Sequence, residues 1–180
     1  MTLPVGFVGQ ERHIAAMSLV TRRRSKSMRY LKTFPSRSSM RGFTAANDPG
    51  SSAWFERGFV TYSNEAKHEM LGVDSALITE HGAVSEAVAQ AMTLGAMRRS
   101  HAQVTLAVTG VAGPTGGSAD KPVGTVWFAW ATPSDAGPTL GAETAWVKTE
   151  LMQFSGDRAA VREAATQHAL KTLLDLLQQH

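Results

Sequence analysis

The stretch that decides the fold is QVTLAVTGVAGPTGG, residues 103–117. Gln103–Val108 is an apolar run of strand length, and the glycine-rich loop Gly110–Gly117 follows it. Ligands bind at the carboxyl ends of strands in open α/β sheets, and glycines let main-chain N–H groups approach an anion closely. The loop has neither the Gly-Lys-Ser/Thr end of a P-loop nor the dinucleotide fingerprint. Its pattern therefore fits a phosphate or oxyanion cradle and a tight structural loop equally well.

On either side of this stretch, strand-like and helix-like patterns alternate. The predicted strands are Phe59–Ser63, Gly124–Ala131 and Glu143–Thr149, with a turn region at Pro133–Gly141. The predicted helices are Glu65–Leu71 after an Asn64 cap, Glu86–Arg99 after Ser85, and Arg158 to about Leu177 after Gly156-Asp157. Strands and helices of these lengths predict a single α/β domain, a three-layer α/β/α sandwich with helices on both faces of one sheet.

The composition is that of an ordinary globular protein, with 43% hydrophobic and 18% charged residues in 180. No apolar run is long enough to span a membrane. The chain has no cysteine, which excludes disulfides, thiolate–metal sites and cysteine nucleophiles. We expect a cytoplasmic protein.

The basic charge is concentrated in an atypical N-terminal segment, residues 1–47. This segment carries nine Lys/Arg and one acid, Glu11, whereas residues 48–180 carry nine Lys/Arg and fourteen acids. It shows no lasting period of 2 or 3.6, so it predicts no regular element and need not be folded. Its basic residues follow its apolar ones, the reverse of a secretory signal. A transit peptide and a nucleic-acid-binding arm are lesser alternatives.

A second candidate for chemistry is Tyr62-Ser63-Asn64-Glu65-x-Lys67, at a strand-to-helix junction. With Asn64 as the cap, Lys67 lies in the first helical turn, where the helix dipole is positive. A partly desolvated lysine in that position has a lowered pKa and can act as a general base, while Tyr62 can donate a hydrogen bond or relay a proton. The alternative is a solvated lysine paired with a carboxylate and a tyrosine packed at a strand end.

Two further basic residues flank the glycine-rich loop in sequence. Lys121 could reach back over the loop as an anion contact, and Arg158 could clamp a phosphate or carboxylate after an Asp157 cap. Solvated surface roles are the alternative for both. The histidines are scattered without ligand spacing, so we expect no metal site.

Taken together, these pieces form an ordered series of motifs. In chain order they are PGSSAWF (49–55), YSNEAK (62–67), LGV (71–73), HGAVS (81–85), TGVAGP (109–114), KPVGTVW (121–127) and FSGDR (154–158). This series closely resembles the nicotinamide-nucleotide amidase family, the C-terminal module of the competence-damage-inducible protein A family. The resemblance runs from about Pro49 to the end of the chain.

The resemblance implies an α/β/α domain that hydrolyses nicotinamide mononucleotide to nicotinic acid mononucleotide and ammonia, in pyridine-nucleotide salvage. It implies a serine nucleophile with Lys67 as base and Tyr62 beside it, without metal or organic cofactor. The substrate-binding residues implied are Asn64, Thr109, Gly110, Gly113, Gly116, Gly117, Lys121 and Arg158. The expected partners are the small-molecule nucleotide and further copies of the chain, with neither nucleic acid nor membrane.

One part of the family pattern is missing from this sequence. The family carries its nucleophile in a Glu-Ser-Cys-Thr-Gly-Gly stretch before the Pro-Gly-Ser-Ser element, and the nearest text here is Ser38-Ser39-Met40-Arg41-Gly42. Either a shifted reading frame or misassigned start leaves residues 1–47 unrelated to the fold, or the N-terminus is divergent and Ser38 or Ser39 attacks. A catalytically silent nucleotide-binding module is the alternative function.

Overall fold

A computed structural model describes residues 13–21, 55–133 and 145–179. The strands are β1 (His13–Thr21), β2 (Phe55–Thr61), β3 (Val104–Val111), β4 (Thr125–Pro133) and β5 (Ala145–Gln153). The helices are α1 (Asn64–Leu71), α2 (Ser75–His81), α3 (Glu86–Arg98) and α4 (Arg158–Gln179). The strands form one sheet in the order β2-β1-β3-β4-β5, and every neighbouring pair is antiparallel.

Strand β3 lies in the middle of three layers, and all eight of its residues are buried. Its even-numbered residues, such as Leu106, pack with Phe128 and with residues of α4 that include Leu173. On the other face, Ala107 packs with Met92 and Ala96 of α3. A strand buried on both faces is typical of a sheet covered by helices on each side. The predicted three-layer α/β/α sandwich is therefore confirmed.

The N-terminal segment contributes a strand that its aperiodic sequence does not predict. β1 lies between β2 and β3, and the main chain of Ser18 is paired with Phe59 on one side and Ala107 on the other. Residues 22–54, which include Ser38 and Ser39, lie outside the described part of the chain.

Several predicted boundaries change. Ser63, not Asn64, caps α1, because its hydroxyl accepts a hydrogen bond from Ala66 N at 3.0 Å and its backbone is extended (φ −85°, ψ 166°). β2 begins at Phe55 and ends at Thr61, and β5 runs to Gln153. The predicted turn region Pro133–Gly141 lies outside the described residues except for Pro133, which ends β4.

Two elements near the predicted loop also differ. α2 was not predicted, since seven residues are too few to show a helical period; Asp74 caps it by accepting from Ala76 N. β3 continues through Val111, so Gly110 is a strand residue paired with Val126 rather than the start of the loop.

The strand directions bring two chain segments to one edge of the sheet. β2 and β3 both run antiparallel to β1, so they are parallel to each other and their carboxyl ends share an edge. There, Thr61 is paired with Ala16, and Gly110 with Ile14. We call this edge the site edge. Within the described residues, no helix combines the length and apolarity that a membrane span requires.

Candidate functional site

Lys67 is fully buried at the site edge, although it is a lysine on a short surface helix. Its Nζ donates hydrogen bonds to three consecutive carbonyl oxygens, those of Thr61 (3.1 Å), Tyr62 (3.3 Å) and Ser63 (3.4 Å). These carbonyls can accept all three hydrogens of an ammonium. Buried lysines are rare unless they are paired, so this arrangement points to a specific role for the amine.

The local sequence builds this carbonyl cage through the capped start of α1. The Ser63 hydroxyl accepts from Ala66 N, and the Ser63 carbonyl accepts from the main-chain N of Lys67 at 3.2 Å. The helix therefore begins immediately after β2, and Lys67, one turn later, folds back over the strand end. Gly72 then ends the helix in the left-handed conformation at φ 69°.

Burial sets the electrostatic state of the amine. Desolvation lowers the pKa of Lys67 to about 8, and the neighbouring negative charge of Glu65 partly opposes this by raising it. The neutral form of the amine is therefore much easier to reach near neutral pH than in a solvated lysine. The pKa of Glu65 is lowered by a hydrogen bond from its own backbone, by the Ser63 hydroxyl and by Lys67, so it stays a carboxylate. A neutral amine beside a charged carboxylate can accept a proton.

Tyr62, the second predicted catalytic residue, contacts the amine through its main chain. Its carbonyl is part of the cage, and the residue is 48% exposed. The structure thus brings the main chain of Tyr62 to Lys67, and the role of the phenol stays a prediction. The predicted nucleophiles Ser38 and Ser39 lie outside the described residues. Sequence reasoning missed the roles of Thr61 and Ser63; a serine four residues before a lysine was the available signal for the cap.

Packing accounts for most of the predicted substrate-binding residues in β3 and its loop. Thr109 is buried and donates to the carbonyl of Ala83 at 2.8 Å. A side chain at Gly110 would meet the carbonyl of Thr125 at 2.7 Å, and one at Gly113 would meet Val123 at 2.6 Å. Thr109 and Gly110 therefore lie inside the sandwich. At position 110, β4 approaches β3 so closely that only a glycine fits.

The exposed part of the loop runs from Pro114 to Asp120 and contains the other two predicted glycines. Gly116 adopts φ 94°, which favours glycine, and a side chain at Gly117 would meet the main-chain N of Val123 at 2.8 Å. A structural reason thus exists for each glycine of the loop. Binding of an anion by the exposed main chain remains a prediction.

Two basic side chains tie the loop to the layers on either side. Arg158 Nη1, at the start of α4, donates to the carbonyl of Gly113 at 2.9 Å. Lys121 Nζ donates to the carbonyl of His81, at the end of α2, at 2.9 Å. The loop is therefore held between a guanidinium and an ammonium, and both groups retain further donor capacity.

Asn64 lies apart from this loop. It is exposed in the first turn of α1 and lines a cleft of about 330 Å³ between α1 and α2, together with Glu65, His68 and Ile78. Lys67 does not line this cleft. Among the residues described, no three His, Asp or Glu side chains are grouped so that they could hold a metal ion.

Comparison with known proteins gives a consistent result. The sequence model of the family described as CinA C-terminal domain matches residues 42–177. The chain is 54% identical over 124 residues to the nicotinamide-nucleotide amidohydrolase PncC of Shigella flexneri, covering 69% of each chain. It is 51% identical over 128 residues to the PncC of Pseudomonas putida, covering 71% of this chain and 73% of that one.

Solved structures agree with this. The competence/damage inducible protein CihA of Agrobacterium tumefaciens superposes with a TM-score of 0.66 at 41% identity, covering 74% of this chain and 75% of that one. A CinA superfamily protein of Klebsiella pneumoniae superposes with a TM-score of 0.67 at 34% identity, covering 76% and 79%.

Proposed function

The chain belongs to the CinA C-terminal domain family, and from this membership we propose that it is a nicotinamide-nucleotide amidohydrolase. The substrate is nicotinamide mononucleotide. The carboxamide C–N bond is broken, water supplies the oxygen of the new carboxylate, and ammonia leaves. The observation that carries the proposal is the buried amine of Lys67, with a pKa of about 8, at the edge that the glycine-rich loop also occupies.

Amide hydrolysis needs a base that takes a proton from the attacking oxygen and an acid that gives one to the leaving nitrogen. The neutral form of Lys67 can do the first and the resulting ammonium can do the second. The cage carbonyls of Thr61, Tyr62 and Ser63 then accept hydrogen bonds from the charged form. We assign to the exposed phenol of Tyr62 the hydrogen bond to the oxygen that becomes negative.

The nucleotide would lie along the site edge. β2 and β3 are separated there by one strand, which corresponds to roughly 10 Å between their ends. A mononucleotide with its carboxamide near Lys67 would extend its phosphate towards the exposed loop between Lys121 and Arg158. Positive charge and exposed main-chain N–H groups favour a phosphate at that end. Gly116 and Gly117 are the loop residues that we assign to this contact, and Asn64 would act from the helix side.

The nucleophile must come from the part of the chain before β2. We propose Ser38 or Ser39, because no other serine pair in residues 1–54 is followed closely by a glycine in the manner of the family's stretch. The serine oxygen would bond to the carboxamide carbon as the C–N bond breaks and ammonia leaves, and water would then hydrolyse the resulting ester to free the serine and the carboxylate. A serine attacks only when it is held beside its base, so the first step depends on a turn that positions it near Lys67.

A second candidate function is a catalytically silent nucleotide-binding module. The absence of the Glu-Ser-Cys-Thr-Gly-Gly stretch favours it. In this case residues 48–180 form the ligand-binding domain, and the atypical segment 1–47 contributes β1 to its sheet.

The experiment measures ammonia release from nicotinamide mononucleotide, in parallel with binding of the same nucleotide by calorimetry. We compare the wild-type chain with Lys67→Ala, Ser38→Ala, Ser39→Ala and, as a control, Lys171→Ala on the exposed side of α4. Release that is lost in Lys67→Ala and in one serine variant but kept in Lys171→Ala supports the amidase. Binding without release in the wild-type chain supports the silent module. Neither binding nor release would contradict both.

We also propose that the protein acts in the cytoplasm, where pyridine nucleotides are recycled, and that it needs no metal or organic cofactor. A homo-oligomer is the expected assembly.

A further inference from the structure

Strand β5 is the outermost strand on its side of the sheet and, of the described strands, only β4 pairs with it. The outer side of such a strand presents main-chain N–H and C=O groups that can pair with another chain. Two large apolar side chains of β5 are also exposed, Trp146 by 42% and Leu151 by 50%. The edge strands of monomeric proteins are usually protected against such pairing, often by charged side chains. The two charged residues of β5, Lys148 and Glu150, have opposite signs, so they can attract a second copy of the strand.

The sequence of β5, AWVKTELMQ, is self-complementary about its central residue, Thr149. We propose that β5 pairs antiparallel with β5 of a second copy around a two-fold axis at Thr149, so that two sheets join into one. Lys148 then lies opposite the partner's Glu150, and Val147 opposite the partner's Leu151. Each of these contacts occurs twice, as an isologous interface requires. The proposal concerns assembly and is independent of whether the chain hydrolyses a nucleotide.

The side chains fall on consistent faces in this register. Thr149 Oγ1 donates to Glu86 Oε1 of α3 at 2.6 Å, so Thr149 lies on the α3 face. Glu150 lies on the α4 face, where its Oε2 is 3.4 Å from His168 Nε2. Lys148 shares that face, since its Nζ is 5.7 Å from the centre of the Trp130 ring and 3.8 Å from Glu150 Oε2 of the same strand. Residues that oppose each other across an antiparallel pair share a face, so Lys148 and the partner's Glu150 can meet.

Charge selects this register over its neighbours. A shift of one residue turns every side chain to the other face of the sheet. Centring the axis on Lys148 or on Glu150 would set two like charges directly opposite each other, which is destabilising. The register centred on Thr149 is flanked by these two unfavourable ones and itself pairs opposite charges on both sides of the axis.

Reversal of the charges tests this arrangement by sedimentation equilibrium. Lys148→Glu sets a glutamate opposite the partner's Glu150 at both ends of the interface and should weaken the dimer about tenfold or more, and Glu150→Lys should do the same with two lysines. A mixture of the two single variants restores opposite charges between the copies while the ion pair within each chain stays broken, and its heterodimer should have a dissociation constant within about threefold of wild type. If Lys148 and Glu150 mattered only through contacts within their own chain, the mixture would be as weak as either single variant. That result, or a wild-type chain that is monomeric at micromolar concentration, overturns the proposal.

A cross-link tests the axis itself, because the natural chain has no cysteine. In Thr149→Cys the two thiols face each other across the axis, within reach of a disulfide, and mild oxidation should give a covalent dimer. Ser155→Cys is the matched control: it is exposed, lies six residues further along, and in this register sits roughly 40 Å from its copy. Equal cross-linking of both variants would indicate random collision and contradict the proposed axis. Circular dichroism shows that each variant is folded.

Discussion

Replacing Lys67 with methionine tests whether burial of this amine lowers its pKa. In the unfolded chain a lysine has a pKa of about 10.4, whereas in the folded protein the pKa of Lys67 is about 8. Below pH 8 the amine is charged in both states and the fold bears the full cost of burying that charge. Above about pH 10.5 it is neutral in both states and the cost is gone.

The sign and size of the effect follow from proton binding. Between pH 8 and 10.5 the unfolded chain binds one more proton than the folded chain, so the free energy of unfolding rises with pH. The difference between the two pKa values amounts to about 3 kcal/mol, nearly all of it gained by pH 10.5. Methionine has a similar length without a titrating group, so the Lys67→Met variant lacks this rise. The wild-type free energy of unfolding, relative to that of the variant, should therefore increase by about 3 kcal/mol from pH 7 to 10.5.

Urea denaturation at several pH values, followed by tryptophan fluorescence, measures this quantity. The test uses only the change with pH in the difference between the free energies of unfolding of wild type and Lys67→Met. The loss of the three hydrogen bonds in the variant alters that difference by the same amount at every pH, so it does not affect the change. Lys171→Met, at an exposed position of α4, is the control and should give a flat difference. A wild-type minus Lys67→Met difference that is equally flat would refute the account of the buried amine and weaken the case for Lys67 as a base.

Three further substitutions test the packing around the site. Gly95→Ala should lower the melting temperature, although alanine normally stabilises a helix by about 1 kcal/mol, because its methyl group would collide with the carbonyl of Leu71. Thr105→Val should cost about 1–3 kcal/mol in urea denaturation, since it leaves the buried hydroxyl of Thr93 without its partner at 2.9 Å; the double valine variant should cost less. Ser85→Ala should cost about 1 kcal/mol of stability by removing the hydrogen bond to Val88 N that caps α3.

The sequence predicted the elements whose signal is local. Ser85 caps α3 as predicted. The apolar run at Gln103–Val108 predicted a strand, and the structure shows β3 there with all of its residues buried. α2 was not predicted because seven residues are too few to show a helical period. β1 was not predicted because its pairing with β2 and β3, rather than its own residue pattern, makes it a strand. Its pairing with Phe59 and Ala107 is a long-range property that no window of sequence contains.

The sequence predicted a lowered pKa for Lys67 but not the contacts that surround its amine. The expected causes were partial desolvation and the helix dipole, and in the structure burial is the first cause of the lowered pKa. The carbonyl cage could not be seen because it consists of main-chain atoms, which every residue has. In the loop, the glycines fitted an anion cradle and a tight structural loop equally well, and the structure supplies a packing reason at Gly113, where a side chain would collide with Val123.

Strand direction explains why Lys67 and the glycine-rich loop lie at the same edge of the sheet, because β2 and β3 are parallel to each other. β1 runs against β2 and β3, so it brings its amino end, His13 and Ile14, to the site edge and ends with Thr21 at the opposite edge. A serine on a strand-to-helix turn beside Lys67 would instead need the carboxyl end of a strand that runs parallel to β2. If Ser38 attacks, the chain from Thr21 has to span roughly 23 Å, the length of the seven residues of β2, and the 16 residues between Thr21 and Ser38 are long enough for that. β1 also joins β2 to β3, so the positions of Lys67 and the glycine-rich loop relative to each other depend on residues 13–21 as well as on residues 55–133.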